Sequence, residues 1–220
     1  MTGRGYKVFT IRNTINMEII PYYEFLDSTE QQYVINNTVN SSKWSFNGIP
    51  DSDQPNKIIF WYLPLDNDHF FTKKIFEKIK TTTNQNFSLE RVYANGQTYG
   101  LSGSLHVDQE LGNNQYYTFL YYVQPTWEPE WGGQTVFCDN KENGNNQYYT
   151  FLYYVQPNWL PEWGGQTVFY DDNEKMVFQQ FPTPNLGILF NSEILHAGLE
   201  PTRLCKLLRV TVAFKLKLNN

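Results

Sequence analysis

Residues 112–143 and 144–175 are near copies at a period of 32, with 26 of the 32 positions identical. Gly112 to Pro125 recurs unchanged as Gly144 to Pro157, and Trp131 to Phe137 as Trp163 to Phe169. Each unit reads as strand, Pro/Trp loop, Gly-Gly, strand, so the tandem brings two more strands than one unit would. Two copies do not make a solenoid, which needs at least three repeats to bury a continuous core. The pattern is that of an in-frame duplication within one domain, or of a fault in the assembled gene sequence. A spare hairpin is thermodynamically tolerable, since each doubling of a loop costs only ~0.6 kcal/mol. Its aromatic face must still find cover, or it becomes an exposed patch prone to aggregation.

Around the repeat the chain divides into a helical and a strand-rich part. Residues 19–40 read as a helix, with Pro21 near its start and Tyr22, Leu26 and Tyr33 at helical spacing. Residues 41–56 are polar and punctuated by Gly and Pro, a loop; Ile58 to Leu63 is a short apolar strand. A second helix spans Asp68 to Thr82, with Phe71, Ile75 and Ile79 on one face and lysines elsewhere. From Phe87 onward the expected elements are strands: 88–94, 104–107, 116–123, 134–137, 176–181, 187–190 and 208–216. Helices first and short strands afterwards suggest a mainly β, α+β chain whose helices pack on a jelly roll or barrel.

Composition narrows the function. A chain of 220 residues suits one domain with a sizeable core. The net charge of −5 and the lack of a basic stripe give nucleic-acid binding no electrostatic support. No apolar run is long enough to span a bilayer. Residues 1–16 lack the apolar region of a secretory signal, so a soluble, cytoplasmic protein is expected. Cys138 and Cys205 supply no disulfide framework and fit a reducing compartment.

Two of the three histidines suggest chemistry. His106 and Asp108 lie two apart and so share a face in an extended segment. With His196 they would complete a two-histidine, one-carboxylate facial triad, which leaves half of an octahedral Fe(II) open. The tripeptide alone carries little weight: with 22 acidic residues in 220 positions, three histidines give about 3 × 0.1 = 0.3 such pairs by chance. The context of His196 adds to it, because an apolar run from Gly187 leads into this histidine and Arg209 then opens another strand. His69, in the first turn of the second helix, reads as a solvated surface residue.

These motifs, in order, resemble the prolyl-4-hydroxylase-like branch of the Fe(II)/2-oxoglutarate-dependent dioxygenases. The resemblance runs from Tyr93-Ala-Asn-Gly through His106-Val-Asp108, Tyr117-Thr-Phe-Leu-Tyr-Tyr-Val123 and Trp127 with Gly132-Gly133 to Phe190–Gly198 and Arg209-Val-Thr-Val-Ala-Phe214. Asp108 and His196 are 88 residues apart, and removing one 32-residue copy leaves a family-like 56. The resemblance implies a double-stranded β-helix (jelly-roll) core over residues 86–218, supported by a helical region over 1–85, in a single domain of 1–220. It implies iron held by His106, Asp108 and His196, 2-oxoglutarate as cosubstrate and ascorbate as reductant. The expected reaction is hydroxylation of a C–H bond, on the prolyl side chain of a peptide or protein partner, with succinate and CO2 as coproducts.

For the far carboxylate of 2-oxoglutarate the match falls on Arg209, whose guanidinium offers a bidentate fork. Arg209 heads an alternating strand 13 residues after His196, whereas Arg203, 7 after, follows Pro201-Thr202 in a loop. Thr211 shares a face with Arg209 and could add a hydroxyl, although a β-branched strand residue is an equally good account of it. The family's carboxylate-binding tyrosine corresponds to Tyr122, or to Tyr154 in the second copy. The short link from Asp108 favours Tyr122, with Gln166–Tyr170 expected to pair with Met176–Phe181 and the excess hairpin lying between. Tyr93 is a further pocket candidate. The alternative is a catalytically inactive jelly-roll binding module that uses the duplicated Tyr/Trp hairpins as a platform.

Overall fold

The computed structural model describes residues 20–48, 59–103, 106, 108, 116–123, 135–138, 150–153, 169–170, 176–180, 182–183, 185–192, 195–205 and 207–219. Its strands are β1 (Ile20–Tyr22), β2 (Ser45–Gly48), β3 (Phe60–Pro64), β4 (Phe87–Gln97), β5 (Tyr116–Tyr122), β6 (Thr135–Cys138), β7 (Thr150–Tyr153), β8 (Phe169–Tyr170), β9 (Met176–Gln180), β10 (Gly187–Asn191), β11 (Leu195–Gly198) and β12 (Arg209–Leu218). They form an eight-stranded sheet in the order β1-β10-β7-β5-β12-β4-β3-β2 and a four-stranded sheet in the order β11-β6-β8-β9. Pairing is mostly antiparallel, as the mainly β jelly-roll expectation requires.

The helical part is shorter than its periodicity suggests. Helix α1 covers only Ser28–Asn37, and Ile20–Tyr22 is instead an edge strand on β10. Two local features move the boundary. Asp27 makes a full capping box with Glu30, a device worth about 1 kcal/mol that starts the helix there. Pro21 has no N–H to give a helix and is acceptable at a sheet edge. The expected 41–56 loop likewise contains β2. The second helix begins as a π-helical segment, Phe70–Ile75, in which the Phe76 N–H reaches back five residues to Phe71, and continues as α2 (Phe76–Thr83).

β12 organises the core. Val210, Val212, Phe214 and Leu216 enter the apolar cluster with Phe25, Leu26, Ile75, Ile79 and Phe119. The Phe214 ring packs edge-on against Phe119, with centroids 5.0 Å apart. By alternation, Arg209, Thr211, Ala213 and Lys215 look to the other face. Their β4 partners in register are Gln97, Asn95, Tyr93 and Arg91. A strip rich in polar side chains therefore runs along two adjacent strands of an otherwise apolar sheet. Among the described residues, no helix is long and apolar enough to cross a membrane.

In both sheets the described strands of the two copies pair with each other. β7 lies parallel to β5 with Phe119 opposite Phe151, and β8 lies parallel to β6 with Phe137 opposite Phe169, each residue against its own duplicate. Among the described residues, no hairpin is set aside between the copies, contrary to expectation. Moreover, β10 contacts both copies in one register. Ile188 pairs with Leu120 of the first copy, and Leu189 pairs with Phe151, the duplicate of the Phe119 that would come next. β9 behaves alike, pairing Gln179 with Val136 and Phe178 with Phe169, the duplicate of Phe137. Identical strands carry identical side-chain alternation, so each meets the requirements of the same slot. Deleting residues 112–143 is therefore predicted to leave a cooperatively folding protein. Its far-UV circular dichroism should remain β-rich and its melting temperature equal or exceed that of the full chain; loss of the cooperative transition would show that both copies are required.

Candidate metal centre

β11 supplies His196, and its backbone brings in the distant His-x-Asp segment. His106 and His196 form an isolated antiparallel bridge with reciprocal N–H···O bonds of 3.0 Å each. Two residues on, the Asp108 N–H donates to the Ser192 carbonyl at 2.8 Å. Two main-chain anchors thus set both side chains on one side, as their spacing of two allows. The expected 104–107 strand is, among described residues, this single bridge. The expected run from Gly187 to His196 is also two strands, β10 in the large sheet and β11 in the small one.

The three side chains converge. His106 Nε2 lies 3.5 Å from Asp108 Oδ1 and His196 Nε2 lies 3.6 Å from Asp108 Oδ2. One candidate ligand atom from each residue falls within 4.8 Å of the other two. The imidazole centroids are 4.4 Å apart, and Phe190 abuts His196 edge-on at 5.0 Å. The His196 and Asp108 side chains are 6% and 8% exposed and that of His106 is 25%, so the cluster is reached from the His106 side. Two imidazoles and a carboxylate form a donor set that fits a divalent iron with open positions.

Lys215 completes the local electrostatics. Its Nζ lies 2.5 Å from Asp108 Oδ1, and its side chain is 13% exposed. Burial alone would push the Asp108 carboxyl up, yet Lys215, then His196 and the His106 hydrogen bond, hold it well below the usual carboxylate range. Burial would likewise lower the Lys215 ammonium, but Asp108 and, behind it, Tyr93 raise it above its ordinary value. Sequence reasoning missed Lys215. The signal was present, since continuing the alternation from Arg209 and Thr211 passes Ala213 and arrives at Lys215.

The proposed cosubstrate residues lie along the same polar strip. Arg209 is 2% exposed and donates through Nη1 to Gln97 Oε1. Gly198, two residues beyond His196, leaves room beside it: a Cβ there would sit 3.5 and 3.6 Å from the two terminal guanidinium nitrogens. Arg203, by contrast, is exposed, with its guanidinium 5.7 Å from the Tyr99 ring centroid. Thr211 is buried and stands opposite both Tyr122 and Asn95 in register. Tyr93 is buried with Tyr62 at 5.4 Å and the Arg91 guanidinium at 4.7 Å from its ring. Tyr154 lies outside the described residues. Asn95 Oδ1, on this strip, is buried without a hydrogen-bond partner and was not singled out from sequence. His69 is exposed and outside the cluster. The Cys205 thiol is pushed up to about 12 by burial, which keeps it protonated and unreactive.

Residues 138–214 match the family model described as the 2OG-Fe(II) oxygenase superfamily. No curated protein sequence matches the chain at a significant level. Among solved structures, the chain is similar to a prolyl hydroxylase of Trichoplax adhaerens in complex with a hypoxia inducible factor oxygen degradation domain peptide fragment, at 15% identity and TM-score 0.54, covering 91% of this chain and 83% of that one. It is also similar to the viral collagen prolyl hydroxylase of Paramecium bursaria Chlorella virus-1 in its 2OG complex, at 14% identity and TM-score 0.51, covering 91% and 96%. A third likeness is to the epimerase SnoN in complex with Fe3+, alpha ketoglutarate and nogalamycin RO, at 11% identity and TM-score 0.52, covering 90% and 78%. At these identities the structural likenesses speak for the fold, while the family match spans the segment that carries His196 and Arg209. The family match over residues 138–214, the shared fold and the His-Asp-His cluster together support an oxidoreductase that resembles the prolyl-hydroxylase-like branch of the 2OG-Fe(II) oxygenases.

Proposed function

We propose that the chain is one dioxygenase domain that hydroxylates a C–H bond of a peptidyl substrate, a prolyl side chain being the best candidate. In this reading residues 1–85 support a jelly-roll core over 86–218. His106, Asp108 and His196 hold Fe(II), Arg209 takes the far carboxylate of 2-oxoglutarate, and ascorbate serves as reductant. Bound Fe(II) with 2-oxoglutarate supplies oxidative decarboxylation to succinate and CO2 coupled to oxygen insertion into the substrate. The observation that carries the reading is the His106–His196 backbone bridge, which gathers three ligands from positions 90 residues apart.

The chain's own residues do the positioning. The bridge and the Asp108–Ser192 bond fix the ligand backbones, so the site needs little reorganisation to accept a cation. Lys215 keeps Asp108 ionised, the state a metal needs. Arg209, buried on β12, offers a cation whose fork matches a carboxylate. Thr211 and Tyr122, opposite each other in register, and Tyr93 further along the strip are the further cosubstrate contacts proposed, with Tyr154 as the second-copy counterpart of Tyr122. A prolyl substrate is favoured by the fold shared with two prolyl hydroxylases; the SnoN likeness is the reason to test small molecules as well.

Incubation with Fe(II), ascorbate and 2-oxoglutarate is predicted to yield succinate, with more formed when the accepted peptide is present. His196→Ala and Asp108→Ala should fall to the enzyme-free background; equal succinate from wild type and His196→Ala would refute the assignment. A second prediction concerns Lys215→Met in metal-chelated protein. At pH 7 it leaves a buried carboxylate without its cation and should cost on the order of 3 kcal/mol. A depressed carboxyl stabilises the fold above its unfolded value of about 4, and that stability is lost as pH falls through the folded value. The raised Lys215 acts in the opposite sense: its share is complete below about 10.4 and is lost as pH rises through its folded value. Denaturant titrations should therefore find the deficit largest between these limits and shrinking as acid protonates Asp108. A deficit independent of pH would mean that Lys215 contributes packing alone.

A further inference from the structure

The end of the polar strip away from Lys215 holds a second arrangement, centred on Gln97. This side chain is buried on the last residue of β4, directly opposite Arg209 of β12 in register. Its Nε2 donates to the Gly198 carbonyl at 2.9 Å and to the Leu101 carbonyl at 3.1 Å. A carboxamide has two N–H donors, and these two carbonyls engage both. The orientation of the amide is thereby fixed, and its oxygen is left facing Arg209, whose Nη1 donates to it. The Gly198 carbonyl also accepts from the Gly103 N–H at 2.9 Å, so the loop after β4 is tied to the same point.

The chemistry of the acceptor matters. An amide oxygen directs one edge of a guanidinium but carries no net charge, so Gln97 does not neutralise the cation. A carboxylate in the same place would neutralise it. Gly198 is also the residue two beyond His196, so one amide links the strand that bears a metal ligand to the cation that would hold the cosubstrate. A Cβ at Gly198 would come within 3.2 Å of Gln97 Oε1, which leaves this position little tolerance for any side chain.

We infer that Gln97 is a positioning residue that aims the Arg209 guanidinium at the far carboxylate of the cosubstrate without neutralising it, and so sets a preference for 2-oxo dicarboxylates. The inference rests on the assignment of Arg209 given above. Its consequence is selective: ligands that carry a far carboxylate depend on Gln97, and ligands that chelate the metal alone do not.

The test measures binding of N-oxalylglycine, which carries that carboxylate, and of oxalate, which lacks it, to the Mn(II)-loaded full chain by calorimetry. Gln97→Met should weaken N-oxalylglycine about tenfold, the scale of one hydrogen bond to a charged group, and leave oxalate within about twofold. Gln97→Glu should weaken N-oxalylglycine further still, because its carboxylate occupies the guanidinium. Arg209→Met should reduce N-oxalylglycine to the affinity of an oxalate-like chelator, and adding Gln97→Met to it should change nothing more. If Arg209→Met leaves N-oxalylglycine binding intact, the assignment of Arg209 fails and this inference falls with it. If Arg209→Met acts as expected but Gln97→Met weakens both ligands equally, or neither, the inference alone is overturned. Should Gln97→Met not fold, Gln97→Glu decides: wild-type affinity for N-oxalylglycine in that variant would contradict a requirement for a neutral acceptor.

Discussion

A single backbone bridge, two N–H···O bonds of 3.0 Å between His106 and His196, is the contact on which the rest of the site depends. It joins a short connection after β4 to a strand of the small sheet, across the whole tandem repeat. Because it is made by main-chain atoms, it specifies position without consuming the imidazoles, which remain to act as ligands. Asp108 is then held by its own N–H to Ser192 and pulled into the ionised state by Lys215. Each proposed ligand is thus positioned by its main chain and not by its ligating atoms, an arrangement that would give a metal site defined geometry.

The large sheet provides the complementary half. One face of β12 is committed to the core through Val210, Val212, Phe214 and Leu216. The other presents Arg209, Thr211 and Lys215, and their β4 partners are polar or aromatic in turn. Burying two cations on one strand is costly unless each is hydrogen-bonded or paired. Here Lys215 meets Asp108 and Arg209 meets Gln97.

Much of this was legible in the sequence because it follows periods of two. The spacing of His106 and Asp108, the alternation of β12 and the strand boundaries near 116–122 and 187–191 are local facts of the chain. What was not legible depended on partners far away. Tyr22, Leu26 and Tyr33 have a helix-like spacing, yet Ile20–Tyr22 pairs with β10, while the capping box at Asp27 starts the helix later. The end of β10 was readable at the polar Asn191-Ser192-Glu193, but the passage of the chain from the large sheet to the small one was not. Lys215 was readable by alternation but has no meaning until Asp108 is placed beside it. The duplication was obvious as text, but its accommodation was not: both copies pair in one register with β9 and β10.

The most direct test of the account is optical. Fe(II)-loaded protein held without oxygen should develop a visible charge-transfer band when 2-oxoglutarate is added, because the cosubstrate would chelate an iron that His106, Asp108 and His196 would hold. The band should be absent in His196→Ala. A wild-type protein that binds no Fe(II), or that binds it and gives no band at saturating 2-oxoglutarate, would contradict the assignment of this cluster as the metal centre.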